Sequence, residues 1–378
     1  MFILIVSGGY SSKSNPLLGI FELDQAIALQ NYGHKVILAS IDLRSIRRKR
    51  KLGFSHLHQN GIEVYNFSFP LGRVSKQTSL WIGRLGIKKM FKKIIQKHGK
   101  PNIIHAHFTH IAAMSVTLKA KYNIPFVITE HSSHINKIKI DRKTKYFASN
   151  SYKYANTVIA VSSGLAQRIK QHFNMESVII PNVVDTSIFK MSSEKNANFT
   201  FISVGSLIFG KGFDLLIDAF HQCNFEKNVS LLIIGDGIER KRLEKQIEDL
   251  ELTEQIKLLG QLPREAVQQN ISASSVFVLA SRHETFGVVY IEAMAAGLPI
   301  IATRCGGPED FVNETNGLLI DVDNKRQLIT AFQFMYQNAD KFDHKQIASD
   351  CCAKYSEEAI VNELSKVYDS ILNKNMKS

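Results

Sequence analysis

Two glutamates with seven residues between them carry the sharpest chemical signal in the chain. They lie in Ser281-Arg282-His283-Glu284-Thr285-Phe286-Gly287-Val288-Val289-Tyr290-Ile291-Glu292-Ala293-Met294-Ala295-Ala296-Gly297-Leu298-Pro299. An apolar run ends at Ala280, a polar loop holds Glu284, and a helix is expected to open near Phe286 and carry Glu292 on its second turn. A helix start presents unpaired N–H groups and positive dipole charge, so the amides near Gly287, Val288 and Val289 can receive a phosphate. The two carboxylates can hold sugar hydroxyls, and Gly287 lets a ligand come close. An isolated pair of this kind is more often a capping Glu and a solvent-facing helical Glu.

Other candidates stand at the ends of apolar runs. Lys211 follows a strand and a short loop, where its ammonium could reach an anion. His131 stands just past Phe126-Val127-Ile128-Thr129, at the carboxyl edge of a sheet, where ligands of doubly wound folds gather. Gly19 would let the first loop, around Ser7–Leu18, approach a ligand. His105-x-His107 on a strand points both rings to one face, but no third ligand is in register, so a structural role is the better reading. Gly235-x-Gly237 opens a turn after a strand, yet Ile238-Glu239-Arg240 follows and the third glycine of the dinucleotide fingerprint is missing. Cysteines at 223, 305, 351 and 352 show no two-residue gap, which excludes a zinc-finger or thioredoxin-like motif and fits free thiols in a reducing compartment.

The elements that must position these residues read as alternating strands and helices. Strands are expected at 2–6, 35–40, 62–66, 103–106, 125–129, 157–161 and 177–180, and in the second half at 200–204, 230–234, 255–259, 275–279 and 299–302. Runs such as Leu231-Leu232-Ile233-Ile234 are continuous apolar stretches, as fully buried parallel strands are. Helical stretches such as Phe213–Phe220 and Arg240–Leu250 lie between them. The fold class is therefore α/β with two doubly wound halves: domains at 1–185 and 186–355 and a final amphipathic helix within 356–378, joined near 182–198. The sequence leaves open which domain that helix packs on. At 378 residues, with 44% hydrophobic and 21% charged residues, the composition excludes disordered, collagenous and disulfide-scaffold classes.

Taken in order, these segments resemble glycosyltransferase family 4, whose members have the two-Rossmann-domain GT-B fold. Glu284 and Glu292 match its Glu-x7-Glu signature. The resemblance continues through Gly205-Ser206-Leu207-Ile208-Phe209-Gly210-Lys211-Gly212-Phe213, Ile234-Gly235-Asp236-Gly237, Leu258-Leu259-Gly260 and Cys305-Gly306-Gly307-Pro308-Glu309-Asp310. In the first half it rests on Gly19, Gly33-His34-Lys35-Val36, Ile104-His105-Ala106-His107, Thr129-Glu130-His131, and Pro181-Asn182 with Asp185. It implies two Rossmann-like domains facing a central cleft. It also implies a retaining enzyme that moves a hexosyl unit from a nucleotide-diphosphate sugar to an acceptor hydroxyl, in surface polysaccharide, lipopolysaccharide or glycolipid synthesis.

By the same resemblance Lys211 neutralises the donor diphosphate, Glu292 grips the ribose, His131 contacts the transferred sugar, and Glu284 orients the sugar without bonding to it. The donor would rest on Gly19, Ser206, Lys211, Glu284, Phe286, Gly287, Val288, Val289 and Glu292. Many relatives carry an Arg where this chain has Ser206, so a mobile Arg282 or Arg304 is expected to help. No cofactor and no metal are expected, because a cation and helix-end amides can stabilise the departing diphosphate. An epimerase or a sugar phosphorylase on the same fold would need acid/base carboxylates at the sugar C2 or a lysine for pyridoxal phosphate, and no marker of either is seen. A non-catalytic polyanion-binding protein would leave Glu284, Glu292 and Lys211 without a role.

The charge is one-sided. Residues 1–100 carry 17 Lys and Arg against 4 Asp and Glu, and so hold the whole net charge of +13. Its densest parts are Arg47-Arg48-Lys49-Arg50-Lys51, within 44–51, and a helix at 85–97 with Lys88, Lys89, Lys92 and Lys93 beside Ile87, Phe91, Ile94 and Ile95. A solvated helix face is an equally good reading of the latter. An anionic membrane surface is the expected partner, with a saccharide or lipid-linked acceptor and no nucleic acid. The first apolar run is too short for a signal peptide, and no run of about eighteen apolar residues occurs. The expectation is a cytoplasmic protein, peripheral on the inner membrane face.

Overall fold

The computed structural model describes residues 1–12, 18–45, 47, 50–71, 74–192 and 196–376. Residues 13–17 of the first loop, Arg48 and Lys49 of the basic run, and residues 193–195 of the expected linker lie outside the described residues. The chain divides into two compact units, Met1–Val183 with Glu357–Ser378, and Val184–Ser356.

Among the described residues, the first unit builds its sheet from β1 (Phe2–Ser7), β2 (Lys35–Asp42), β3 (Gly53–Gln59), β4 (Ile62–Ser68), β5 (Ile103–His107), β6 (Phe126–Glu130), β7 (Thr157–Ala160) and β8 (Val178–Ile179). Their order is β3-β4-β2-β1-β5-β6-β7-β8. Every pair is parallel except β3 with β4. β1 and β5 are buried along their whole length, as parallel strands covered on both faces must be. The antiparallel β3 was not expected. Its residues alternate between half-buried and exposed, as on an edge strand, and it turns into β4 through Asn60 and Gly61, both at positive φ (48° and 80°).

The helix Lys76–His98 includes the expected 85–97 segment. Ile87, Met90, Phe91 and Ile94 are buried, so its apolar stripe is taken up by the core of the unit. Lys88, Lys89, Lys92 and Lys93 remain exposed beside Trp81 (63% exposed) and Leu85 (40%). The terminal helix Glu357–Met376 belongs to this unit as well: Ile360, Val361, Leu364, Tyr368 and Ile371 join Ile3, Ile5, Leu29 and Val36 in one core. No helix among the described residues is long and apolar enough to cross a membrane.

The second unit's sheet comprises β9 (Thr200–Val204), β10 (Ser230–Ile234), β11 (Ile256–Gly260), β12 (Val276–Leu279), β13 (Ile300–Thr303) and β14 (Gly317–Ile320), in the order β11-β10-β9-β12-β13-β14 and parallel throughout. The short β14, also unexpected, opens with a glycine whose Cβ would stand 2.3 Å from the Ile300 carbonyl oxygen. In each sheet the strand order reverses once, between β1 and β5 and between β9 and β12. Loops at the carboxyl ends diverge there and leave room for a ligand.

Tyr368 is fully buried and its hydroxyl lies 2.6 Å from His105 Nδ1. Tyr368→Ala is expected to cost about 3–5 kcal/mol in chemical denaturation. A loss below about 1 kcal/mol would mean that the terminal helix does not share the first unit's core.

Candidate active site

In the second unit the reversal point brings together two of the expected residues. Lys211 closes a 3-10 turn, Phe209–Lys211, after β9, and Glu284 follows β12. Their side chains meet, Lys211 Nζ lying 2.5 Å from Glu284 Oε1, with the carboxylate only 9% exposed. Ser281 Oγ donates to the same oxygen at 2.8 Å, and the Glu284 amide donates to the Cys305 carbonyl oxygen at 3.3 Å. The carboxylate is thus fixed from the ends of β12 and β13 at once. Close packing makes this possible: Gly212 sits at φ 67°, and a Cβ there would stand 2.0 Å from the Ala280 carbonyl oxygen.

Gly287 precedes the helix Val288–Ala295 at φ 95°, with no side-chain cap and no acidic residue in the first turn. A Cβ at Gly287 would lie 3.8 Å from the Glu284 carboxyl carbon, so the carboxylate and the helix start are neighbours. Val288 is buried and Val289 half-buried. Phe286 is 3% exposed and packs against Phe311 and Tyr355, so it serves as core and offers a ligand only its backbone. Glu292 faces Arg264 at 3.8 Å, and that guanidinium lies over the Phe189 ring. Ser206 is exposed on the loop after β9.

Arg282 does not fit its expected role as a mobile cation. It is engaged by Asp214 at 2.9 and 3.2 Å, by Asp323 at 2.7 Å and by the Phe209 carbonyl at 2.6 Å, and its guanidinium carbon lies over the Phe209 ring, 4.0 Å from the centroid. These contacts, the Asp214 bonds foremost, hold its pKa above the usual guanidinium value against the opposing effect of burial. Arg304 does keep an exposed side chain, 3.9 Å from Asp321.

In the first unit the reversal point gathers histidines. His107 Nδ1 lies 2.9 Å from His131 Nε2, and the two rings stack. Gln25 Nε2 approaches His105 Nδ1 at 3.3 Å and His107 Nε2 at 3.5 Å. An amide NH2 only donates, so both of those ring nitrogens are acceptors. His107 then carries its proton on Nδ1 and donates it to His131 Nε2, which leaves the His131 proton on Nδ1. That buried Nδ1 makes no hydrogen bond of normal geometry, the Asn182 side chain being its more distant polar neighbour. Burial lowers the His131 pKa to about 3, with the nearby Asn182 side chain acting the other way, so the ring is neutral at ordinary pH. His105 and His107 are likewise held neutral by burial. Gly19 precedes the helix Ile20–Asn31 at φ 69°, and Phe21 on that helix stacks on His131.

Residues 23–188 match the family profile described as Glycosyltransferase Family 4, and residues 184–349 match the one described as Glycosyl transferases group 1. An uncharacterized glycosyltransferase of Methanocaldococcus jannaschii is 31% identical over 290 residues, covering 75% of this chain and 79% of its own. The chain belongs to glycosyltransferase family 4. Lipopolysaccharide core biosynthesis glycosyltransferase LpsE of Rhizobium meliloti is 30% identical over 179 residues, 45% of this chain and 51% of LpsE. Anabaena HepE, solved in complex with UDP and glucose, superposes with a TM-score of 0.77 at 20% identity, over 98% of this chain and all of HepE.

Three residues of this glycosyltransferase go beyond the motif reading. Glu130 stands in the Thr129-Glu130-His131 motif, and it organises the histidine loop. Fully buried, it accepts from the His131 and Ser132 amides at 3.1 and 2.9 Å, from the Thr109 amide at 3.1 Å and from the Tyr152 hydroxyl at 2.6 Å, and it also binds the Thr109 hydroxyl. Burial raises its pKa in spite of these donors. Phe108 takes φ 64°, a strained value for a bulky residue, beside His131; no feature of its residue type signals this. Glu22, three residues after Gly19, is buried, and burial raises its pKa to about 7 although its own amide and that of Gly8 pull it down.

The folded chain therefore keeps the Glu22 proton up to about pH 7, whereas the unfolded chain loses it near 4.5. The folded state binds more protons across that window, so stability falls as pH rises through it. Glu22→Gln is expected to gain stability relative to wild type over the same window, reaching about 3 kcal/mol above pH 7. Urea unfolding at pH 5 and pH 8 checks this, and an equal difference at both values would show that Glu22 ionises normally.

Proposed function

We propose that this family 4 member is a retaining hexosyltransferase that uses a nucleotide-diphosphate sugar. Its acceptor is the hydroxyl of a saccharide or lipid-linked saccharide, in surface polysaccharide, lipopolysaccharide or glycolipid synthesis. The observation that carries this reading is the Lys211–Glu284 pair at the β9/β12 reversal, beside an uncapped helix start. An ammonium suits a diphosphate and a carboxylate suits sugar hydroxyls, so a ligand bearing both groups satisfies both side chains. The UDP and glucose bound by HepE, and the lipopolysaccharide core biosynthesis assigned to LpsE, support the reading from relatives.

In this mechanism Lys211 and the amides of Val288 and Val289 take up the charge that develops as the bond between sugar C1 and the phosphate oxygen breaks. The acceptor oxygen bonds to C1 on the face the phosphate leaves, and the acceptor proton passes to the departing phosphate. Glu284 orients the sugar and stabilises positive charge at C1. Glu292 holds the ribose, and neutral His131 hydrogen-bonds the sugar through Nδ1. Ser206 lies beside the donor, and Gly19 lets the first loop approach phosphate or acceptor. The reaction uses neither a cofactor nor a metal ion, since an ammonium and helix-end amides supply the positive charge.

The protein works in the cytoplasm and attaches reversibly to an anionic inner membrane face. The support is the exposed Lys88, Lys89, Lys92 and Lys93 beside exposed Trp81 and Leu85. Each Lys near such a surface contributes about 1 kcal/mol.

Calorimetry with UDP-, GDP-, ADP- and TDP-sugars is expected to find one nucleotide class that binds. Glu284→Ala is then expected to lower kcat by roughly 10²-fold or more, and Glu292→Ala to raise KM chiefly. Wild-type kinetics in both variants would refute the assignment. Turnover is expected to survive EDTA, and complete loss restored by Mn²⁺ would refute the metal-free step. In liposome flotation, wild type is expected to bind anionic but not neutral vesicles at low salt, and to lose binding when the four lysines become Ser. Equal binding to both vesicle types, or none, removes the membrane from the reading.

A further inference from the structure

A further constellation lies on the hairpin of β3 and β4, away from the first unit's own reversal point. His56 and His58 are two residues apart on the edge strand, so both rings leave the same face. The antiparallel register sets His58 opposite Glu63 and His56 opposite Tyr65. His56 Nε2 stands 2.9 Å from Glu63 Oε2, and His58 Nε2 stands 3.8 Å from Glu63 Oε1. One ligand atom from each of the three residues lies within 4.8 Å of the others. Around a tetrahedral zinc ion with bonds of about 2.0–2.2 Å, ligand atoms stand about 3.3–3.6 Å apart, so small side-chain rotations bring this set onto one ion.

We propose that His56, His58 and Glu63 form a binding site for a divalent transition metal of the zinc class. Two imidazole nitrogens and one carboxylate oxygen match the preference of such an ion, and a solvent molecule completes the tetrahedron. Hard cations such as Mg²⁺ instead favour all-oxygen sets. The neighbours hold the carboxylate in position: His98 Nε2 is 3.2 Å from Glu63 Oε2 and 2.8 Å from the Tyr65 hydroxyl. Lys97 Nζ, at 3.1 Å from the same oxygen, is the competing cation; its side chain is 54% exposed and can turn to solvent when the ion arrives. The bound ion ties the outermost strand to β4 at the sheet edge, where an unpaired strand edge invites pairing with other chains.

The test uses the full, untagged chain freed of metal by EDTA and dialysed. Calorimetry with Zn²⁺ alone is expected to show one saturable site, and Co²⁺ alone to develop the visible bands of tetrahedral cobalt. His58→Ala, at a side chain 64% exposed, and Glu63→Gln are each expected to weaken Zn²⁺ binding by about tenfold or more, while His221→Ala, at an exposed surface position, leaves it unchanged. Circular dichroism on His58→Ala separates lost ligation from lost folding. Absence of a saturable Zn²⁺ site, Zn²⁺ binding unaltered in both variants, or an equal response to Mg²⁺ would overturn the assignment.

Discussion

A lysine ammonium 2.5 Å from a nearly buried carboxylate is the contact around which the second unit's site is arranged. Taking a carboxylate out of water costs several kcal/mol, which Lys211 and Ser281 Oγ offset with a charge and a hydrogen bond at short range. Lys211 reaches that point only because the loop after β9 lies against the end of β12, and that approach requires Gly212, where any side chain would meet the Ala280 carbonyl. A second glycine, Gly235, lets the loop after β10 contact Gly205 on the same terms. The glycines of these motifs are thus conditions for backbone contact, and the ion pair is their consequence.

The first unit gathers neutral histidines at its reversal point. His105, His107 and His131 are neutral, chained through Gln25, and anchored by Thr129 and Tyr368 at 2.7 and 2.6 Å from His105. Because folding lowers these pKa values, the unfolded chain takes up protons first on acidification. Stability is therefore lost as pH falls below about 6.5, opposite in sign to the effect of Glu22. A neutral imidazole with a fixed tautomer is a directional hydrogen-bond donor, which suits a sugar hydroxyl better than a phosphate.

Continuous apolar runs made the buried parallel strands legible, and ten or more residues of helical spacing made helices such as Arg240–Asp249 legible. What escaped was half-exposed. The β3 strand, Gly53-Phe54-Ser55-His56-Leu57-His58-Gln59, has two apolar residues on opposite faces and reads as polar, although Asn60-Gly61 after it is a strong hairpin signal. With β3 unread, His56, His58 and Glu63 were scattered residues in place of one face. Glu284 with Lys211 and His131 with Gly19 were legible as motifs. Glu130 as the organiser of its loop, the engagement of Arg282 by Asp214 and Asp323 and the backbone of Phe108 were not, because each depends on partners distant in sequence.

Helix starts in this chain divide into those with a side-chain cap and those without, and the helices that follow β1, β9 and β12 fall in the second group together with Arg240–Asp249 and Arg264–Ala273. Elsewhere several helix starts are satisfied by their own cap side chains: Ser75, Asp141, Ser162, Asn324 and Asp343 each accept from a first-turn amide. At the reversal points the helices opening at Ile20, Phe213 and Val288 follow Gly19, Gly212 and Gly287, all at positive φ and all without a side-chain cap. A Ser or Asp cap is worth about 1 kcal/mol over Ala, so folding alone favours capping these helices as well. A side chain at those positions would both meet the neighbouring backbone or ring and occupy the amides an anion needs. Of the three, only the Val288 helix also lacks an acid in its first turn; Glu22 stands in the first, and Asp214 in the second is already taken by Arg282. Among these three, the start of the Val288 helix, beside the Lys211–Glu284 pair, has neither a side-chain cap nor a first-turn acid, and the helix dipole there favours an incoming anion.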